Sequence, residues 1–169
     1  HTPCYRCPIS CGRLTEVPDG KYTGKGEGPE YETISSLGSG CGVSDLAALT
    51  RANYWCNELG MDTISTGMTI AAAMEMYEKG YIPEEVIGQS LKFGDHDAMI
   101  EMVRKMAYRE GFGDELAMGS YRLAEKYQRR RRRRLYTNPP CWYSRTPRRT
   151  PHPSRPMPEC QWPNQHLVT

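Results

Sequence analysis

Residues 95–111 read DHDAMIEMVRKMAYREG, and this stretch decides the fold. Asp95 stands where a helix N-cap stands, Met99, Met102, Val103 and Met106 recur at three- and four-residue steps, and Gly111 closes the run. That spacing puts the four side chains on one stripe of a helix, whereas a half-buried strand needs strict alternation. A methionine stripe of this kind is core, because flexible thioethers fill irregular apolar gaps. The same period extends in both directions. Upstream, Ser44 is a candidate N-cap for a helix to about Leu59, with Leu46, Leu49, Ala52, Asn53 and Cys56 on its inner side and Gly60 as its stop. A second helix is predicted over about Thr66–Lys79, with Ile70, Met74 and Tyr77 in line and Gly80 ending it, and Pro83 opens a short helical segment through Leu91. Downstream, a helix from about Asp114 to Tyr127 turns Leu116, Ala117, Leu123 and Ala124 inward. No strand-like alternation competes, so residues 43–128 are expected to be an all-α, multihelical domain.

The flanks differ. Residues 1–42 hold eight glycines and no helical period, which predicts an irregular Cys/Gly-rich loop region of the sort that builds sites. Residues 129–169 hold eight of the 13 prolines and six consecutive arginines at 129–134, and are expected to be disordered. The chain's formal charge of +2 is therefore an average of unlike parts. Residues 1–128 carry 12 Lys and Arg against 19 Asp and Glu, while the tail carries 10 Arg against Glu159 alone. Arg129–Arg134 with Trp142, Tyr143 and Trp162 are residue types that track phosphates and stack bases, but the acidic body argues against nucleic-acid binding as the main function. No apolar run approaches the ~20 residues of a membrane-spanning helix, and no basic-then-apolar leader opens the chain.

Cys4-x2-Cys7-x3-Cys11 carries the strongest chemical signal. Thiolates at this spacing can converge on one centre, and soft sulfur selects an iron–sulfur cluster, zinc or copper(I). Three clustered cysteines with Pro8 after the second favour a [4Fe–4S] cluster, and a zinc-stabilised helical domain is the alternative. The odd total of seven cysteines points to ligand thiols in a reducing compartment, the cytoplasm, rather than to a disulfide framework. Cys41 and Cys56 read as small buried apolar groups. Gly28-Pro29-Glu30-Tyr31-Glu32 places two carboxylates in a loop, where one can serve as acid or base if its surroundings tune it. The turn from Asn57 through Gly60 and Met61 to Asp62 offers polar groups that suit a heterocycle or phosphate, although by itself it is an ordinary junction between helices.

In order and at compatible spacing, these blocks resemble the C-terminal region of the tungsten-dependent aldehyde:ferredoxin oxidoreductase family. The resemblance spans about residues 3–127 and continues through Phe93-Gly94-Asp95 and Gly111-Phe112-Gly113-Asp114. It implies a multihelical fold, a bis-pterin tungsten or molybdenum cofactor beside one [4Fe–4S] cluster, oxidation of aldehydes to carboxylic acids, ferredoxin as electron acceptor, and a homodimer. Carried over by motif, Cys4, Cys7 and Cys11 are three cluster ligands and Glu32 is the carboxylate near the metal. Asn57, Gly60, Met61 and Asp62 contact a pterin, with Asn57 and Met61 standing where the family has Asp and Leu. The family's second pterin turn, fourth cluster cysteine and active-site histidine find no counterpart beyond Tyr127. On that reading residues 1–42 are the iron–sulfur and active-site loops, and 129–169 are a frameshifted extension.

Overall fold

The structure, a computed structural model, describes Pro3 and residues 5–128; Cys4 and residues 129–169, with the predicted tail, lie outside the described residues. The described residues belong to a compact unit, residues 1–134. In chain order they form strands β1 (Leu14–Val17) and β2 (Gly24–Glu27), a short helix α1 (Tyr31–Thr33) that runs into a π-helical segment (Ile34–Ser39), and helices α2 (Leu46–Glu58) and α3 (Thr63–Glu78). Helices α4 (Glu84–Ile87), α5 (His96–Tyr108), α6 (Phe112–Leu116) and α7 (Ser120–Gln128) follow. The fold is mainly helical, as the periodicity predicts.

Three helix ends share one device. Gly60 and Gly80 adopt positive φ after α2 and α3, and the following amides, Met61 and Tyr81, reach back to the carbonyls of Cys56 and Met76 at 2.8 Å. This Schellman pattern satisfies carbonyls that the helix end leaves over. Helix α5 ends the same way with Arg109 in the left-handed position (φ 54°), where a side chain costs roughly 1 kcal/mol that glycine would not. The N-termini are capped by aspartates: Asp45 accepts from the Ala47 and Ala48 amides, Asp62 from Ser65 and Asp95 from Ala98.

These caps correct two boundaries. Asp45, one residue after Ser44, caps α2, and Leu46 at the first helical position is exposed rather than inward. Asp62 caps α3, which starts at Thr63 and not Thr66. The segment after Pro83 is helical only to Ile87, because Gly88 turns left-handed. The single helix expected over 114–127 is two, parted at Gly119 with φ 89°. The core follows the stripes: Ile70, Met74, Met99, Met102, Val103, Leu116 and Leu123 are fully buried or nearly so. Gly113 lets α6 sit directly on the end of α5, since a Cβ there would lie 2.1 Å from the Lys105 carbonyl oxygen.

The loop region holds more order than its composition predicts. Strands β1 and β2 pair antiparallel, Leu14 opposite Glu27 and Val17 opposite Gly24. The inward positions of β2 are Gly24 and Gly26, and the ring of Tyr54 on α2 occupies the space that their side chains would take, 3.0 Å from either ideal Cβ. The Tyr54 hydroxyl donates to the Thr15 carbonyl at 2.8 Å, and the Asn53 amide donates to the Glu27 carbonyl at 2.8 Å. The hairpin is thus stitched to α2 along its length. At its turn, Lys21 and Tyr22 both donate to Asp97 on α5, at 2.6 and 2.5 Å. Those bonds hold the Asp97 carboxyl below the usual carboxylate range, while burial and the bond to Asp97 push the Tyr22 phenol up.

Two outcomes follow from this packing. Gly113→Ala forces the α5 and α6 backbones apart and lowers unfolding free energy by about 2 kcal/mol or more in urea titrations. Because the folded Asp97 is the stronger acid, its contribution is present above about pH 4, the unfolded value, and is lost as pH falls through the depressed folded value. Asp97→Asn is therefore expected to lower Tm at pH 7 and to match the parent near the acid end of the same scan.

Candidate active site

Where the hairpin leaves β2, the chain crosses the start of α1 and faces the end of α2 and the beginning of α3, and these four edges enclose an open cleft of about 380 Å³. Glu27 and Gly28 form one lip. Glu30 and Glu32 stand beside them, Asn53 and Asn57 project from successive turns of α2, and Thr33, Thr63 and Ile64 complete the lining. Glu32 and Asn57, 25 positions apart in sequence, therefore share one cleft. None of Glu27, Glu30 and Glu32 forms an ion pair or side-chain hydrogen bond with a described residue; Glu30, at the N-cap of α1, leaves its carboxylate unused for capping. Three acceptor groups are thereby open to whatever enters.

Asn53 is buried and holds the Glu27 carbonyl, so it anchors the lip of the cleft as well as lining it. It falls on the apolar side of α2 by sequence, and a lone amide on such a stripe is the signal that it has a specific partner. Glu27 had no such signal, because its strand neighbours are glycines. The remaining turn residues do different work. Gly60 supplies the left-handed residue, Met61 packs on the core, and Asp62 caps α3 through its Oδ2 to the Ser65 amide at 2.7 Å. None of the three lines the cleft, in contrast to Asn57.

The cysteines separate into two kinds. Cys7 is half-buried and Cys11 exposed, and each follows a residue in the left-handed region, Arg6 at φ 58° and Ser10 at φ 48°. Non-glycine residues held this way concentrate at sites, where the strain is retained for what the loop presents. Among the described residues no group of three or more His, Cys, Asp and Glu side chains is placed to hold a metal, and Cys4 lies outside them. Cys41 and Cys56 are fully buried. The Cys41 thiol donates to the Gly67 and Ser36 carbonyls, and burial pushes it up to about 12. Burial, reinforced by Asp62, likewise pushes the Cys56 thiol up to about 12. Both stay protonated at neutral pH and serve as packing groups.

Residues 1–137 match the family model described as aldehyde ferredoxin oxidoreductase, domains 2 and 3. The chain belongs to the aldehyde ferredoxin oxidoreductase family. It is 52% identical over 127 residues to the tungsten-containing aldehyde ferredoxin oxidoreductase of Pyrococcus furiosus, an alignment covering 74% of this chain and 20% of that protein. A more distant relative from the same organism, the WOR-like subunit of an aliphatic sulfonate oxidoreductase, is 32% identical over 123 residues, 72% of this chain and 20% of its own. Among solved structures, the active-site complex of benzoyl coenzyme A reductase superposes with a TM-score of 0.61 at 25% identity, over 75% of this chain and 18% of that one. The chain spans about one fifth of the curated relatives it matches. Among the described residues no helix is long and apolar enough to cross a membrane.

The two kinds of cysteine are separable by reaction. Brief treatment of the folded, cluster-free chain with iodoacetamide is expected to alkylate Cys7 and Cys11 and to spare Cys41 and Cys56, as read by peptide mass spectrometry. Labelling of Cys41 at the rate of Cys11 would contradict its placement.

Proposed function

We propose that the chain forms part of an enzyme that oxidises aldehydes to carboxylic acids at a tungsten–pterin centre and passes the electrons through a [4Fe–4S] cluster to ferredoxin. The observation that carries this reading is the meeting of Glu32 and Asn57 in one open cleft rich in hydrogen-bond acceptors. The residues fit such a group. A pterin ring presents N–H donors along its edge, and carboxylates together with an amide oxygen accept them without competition from local cations. The names of the relatives, tungsten-containing aldehyde ferredoxin oxidoreductases, supply the metal and substrate class.

In this reading Asn57 holds the heterocycle through its side-chain amide, which both donates and accepts. Glu32 stands free of cationic partners, so its carboxylate is available as a general base that takes the proton released during oxidation. Asn53 keeps the Glu27 lip in place, and Gly60, Met61 and Asp62 give the turn its shape, Asp62 retaining Oδ1 for a ligand beside its capping bond. Cys7 and Cys11, with Cys4, are the thiolates that would hold the cluster; their accessible, unpaired state suits soft ligation, whereas Cys41 and Cys56 are committed to the core. When bound, the tungsten centre supplies two-electron oxidation and the cluster one-electron transfer.

Glu32→Gln keeps the shape and removes the base. In the full-length enzyme it is expected to lower kcat for aldehyde oxidation by about a hundredfold or more with tungsten content unchanged. Full turnover in that variant would overturn the role. Anaerobic reconstitution with iron and sulfide is expected to give a broad sulfide-to-iron absorption that Cys7→Ser or Cys11→Ser abolishes. Stoichiometric zinc without that absorption would instead support the zinc-stabilised domain.

A further inference from the structure

Helix α1 is the first turn of a continuous helical stretch, Tyr31–Ser39, and its N-cap residue Glu30 makes no side-chain capping bond, so the end that carries Glu32 is held by contacts to its surroundings. Glu32 has no side-chain partner among the described residues, but its neighbour Thr33 is buried, and the Thr33 hydroxyl lies 2.8 Å from the hydroxyl of Thr63, the first residue of α3. Both threonines line the cleft. Thr63 is itself fixed, because Asp62 caps the helix it begins. One turn further, Ser36 donates to the Thr33 and Thr63 carbonyls, and Gly67 brings α3 against the π-helical segment, where any Cβ would lie 2.7 Å from the Ser36 carbonyl carbon.

We propose that Thr33 and Thr63 form a positioning pair, and that their hydroxyl–hydroxyl bond holds the α1 turn so that Glu32 faces the cleft. The pair acts on Glu32 through the backbone and touches no reacting atom. This rests on the reading of Glu32 as the base, yet it makes a claim about order in the protein that can be measured with no cofactor or aldehyde present.

The test uses the 169-residue chain, isotopically labelled for NMR, with Thr63→Val, Thr63→Ser, Thr33→Val and the double valine variant. In the parent, backbone order parameters for residues 31–33 are expected near ~0.85, and in Thr63→Val below ~0.6. The Ile34 amide, which donates to the Glu30 carbonyl at 3.0 Å, is expected to exchange roughly fivefold faster in Thr63→Val, as suits the loss of one hydrogen bond. Thr63→Ser restores both quantities, and the double valine variant is no looser than either single one, because the two hydroxyls share one bond. Unchanged order and exchange in a folded Thr63→Val, failure of Thr63→Ser to restore them, or additive effects in the double variant would each overturn the pair. Should Thr63→Val not fold, Thr33→Val against Thr33→Ser makes the same comparison. Full turnover of Glu32→Gln with these NMR effects intact would remove the catalytic reading and leave the positioning pair standing.

Discussion

The close crossing of the π-helical segment over α3 at Gly67 is the constraint on which the rest depends. Backbone meets backbone there, with room for a hydrogen and no more. That proximity lets Cys41 and Ser36 satisfy carbonyls on both elements and sets the start of α3 beside α1. A π-helical turn is rare because its hydrogen bonds are strained relative to an α-helix, and it persists where neighbours over-determine it. Here the neighbours are α3 beneath and α2 alongside.

Much of the helical body was legible in the sequence. The stripe of Met99, Met102, Val103 and Met106 and the glycine stops at Gly60 and Gly80 appear where periodicity and end chemistry put them, because burial and left-handed backbone impose strong residue preferences. Cap positions shifted by one to three residues because adjacent polar residues, Ser44 beside Asp45 and Asp62 ahead of Thr66, are all competent caps. The hairpin escaped because its alternation is written in absences. Gly24 and Gly26 face inward with no side chain, and the apolar mass filling that face belongs to Tyr54, some 30 positions away. No local period can report a partner supplied from elsewhere.

The candidate site shows the same division. The order of motifs points to Glu32 and Asn57, and the cleft that both residues line depends on tertiary contacts. Glu27 and Thr33 became visible only with the fold, since ordinary residue types acquire a role when a turn or crossing sets them at one edge, whereas Asn53 carries a signal in its place on an apolar stripe. The Asn57–Asp62 turn in turn proved to be two things: one residue at the cleft and three that end α2 and begin α3.

Tyr54 joins three elements at once. Its ring lies on the bare face of β2 and its hydroxyl grips β1, so the hairpin has one broad bearing on α2. At the open end of the hairpin, where Leu14 pairs with Glu27, the chain runs back along one strand to Cys11 and Cys7 and on from the other to Glu30 and Glu32. The thiol-bearing loop and the carboxylate-bearing lip thus start from one paired rung, and the sheet itself sets the separation from which they diverge.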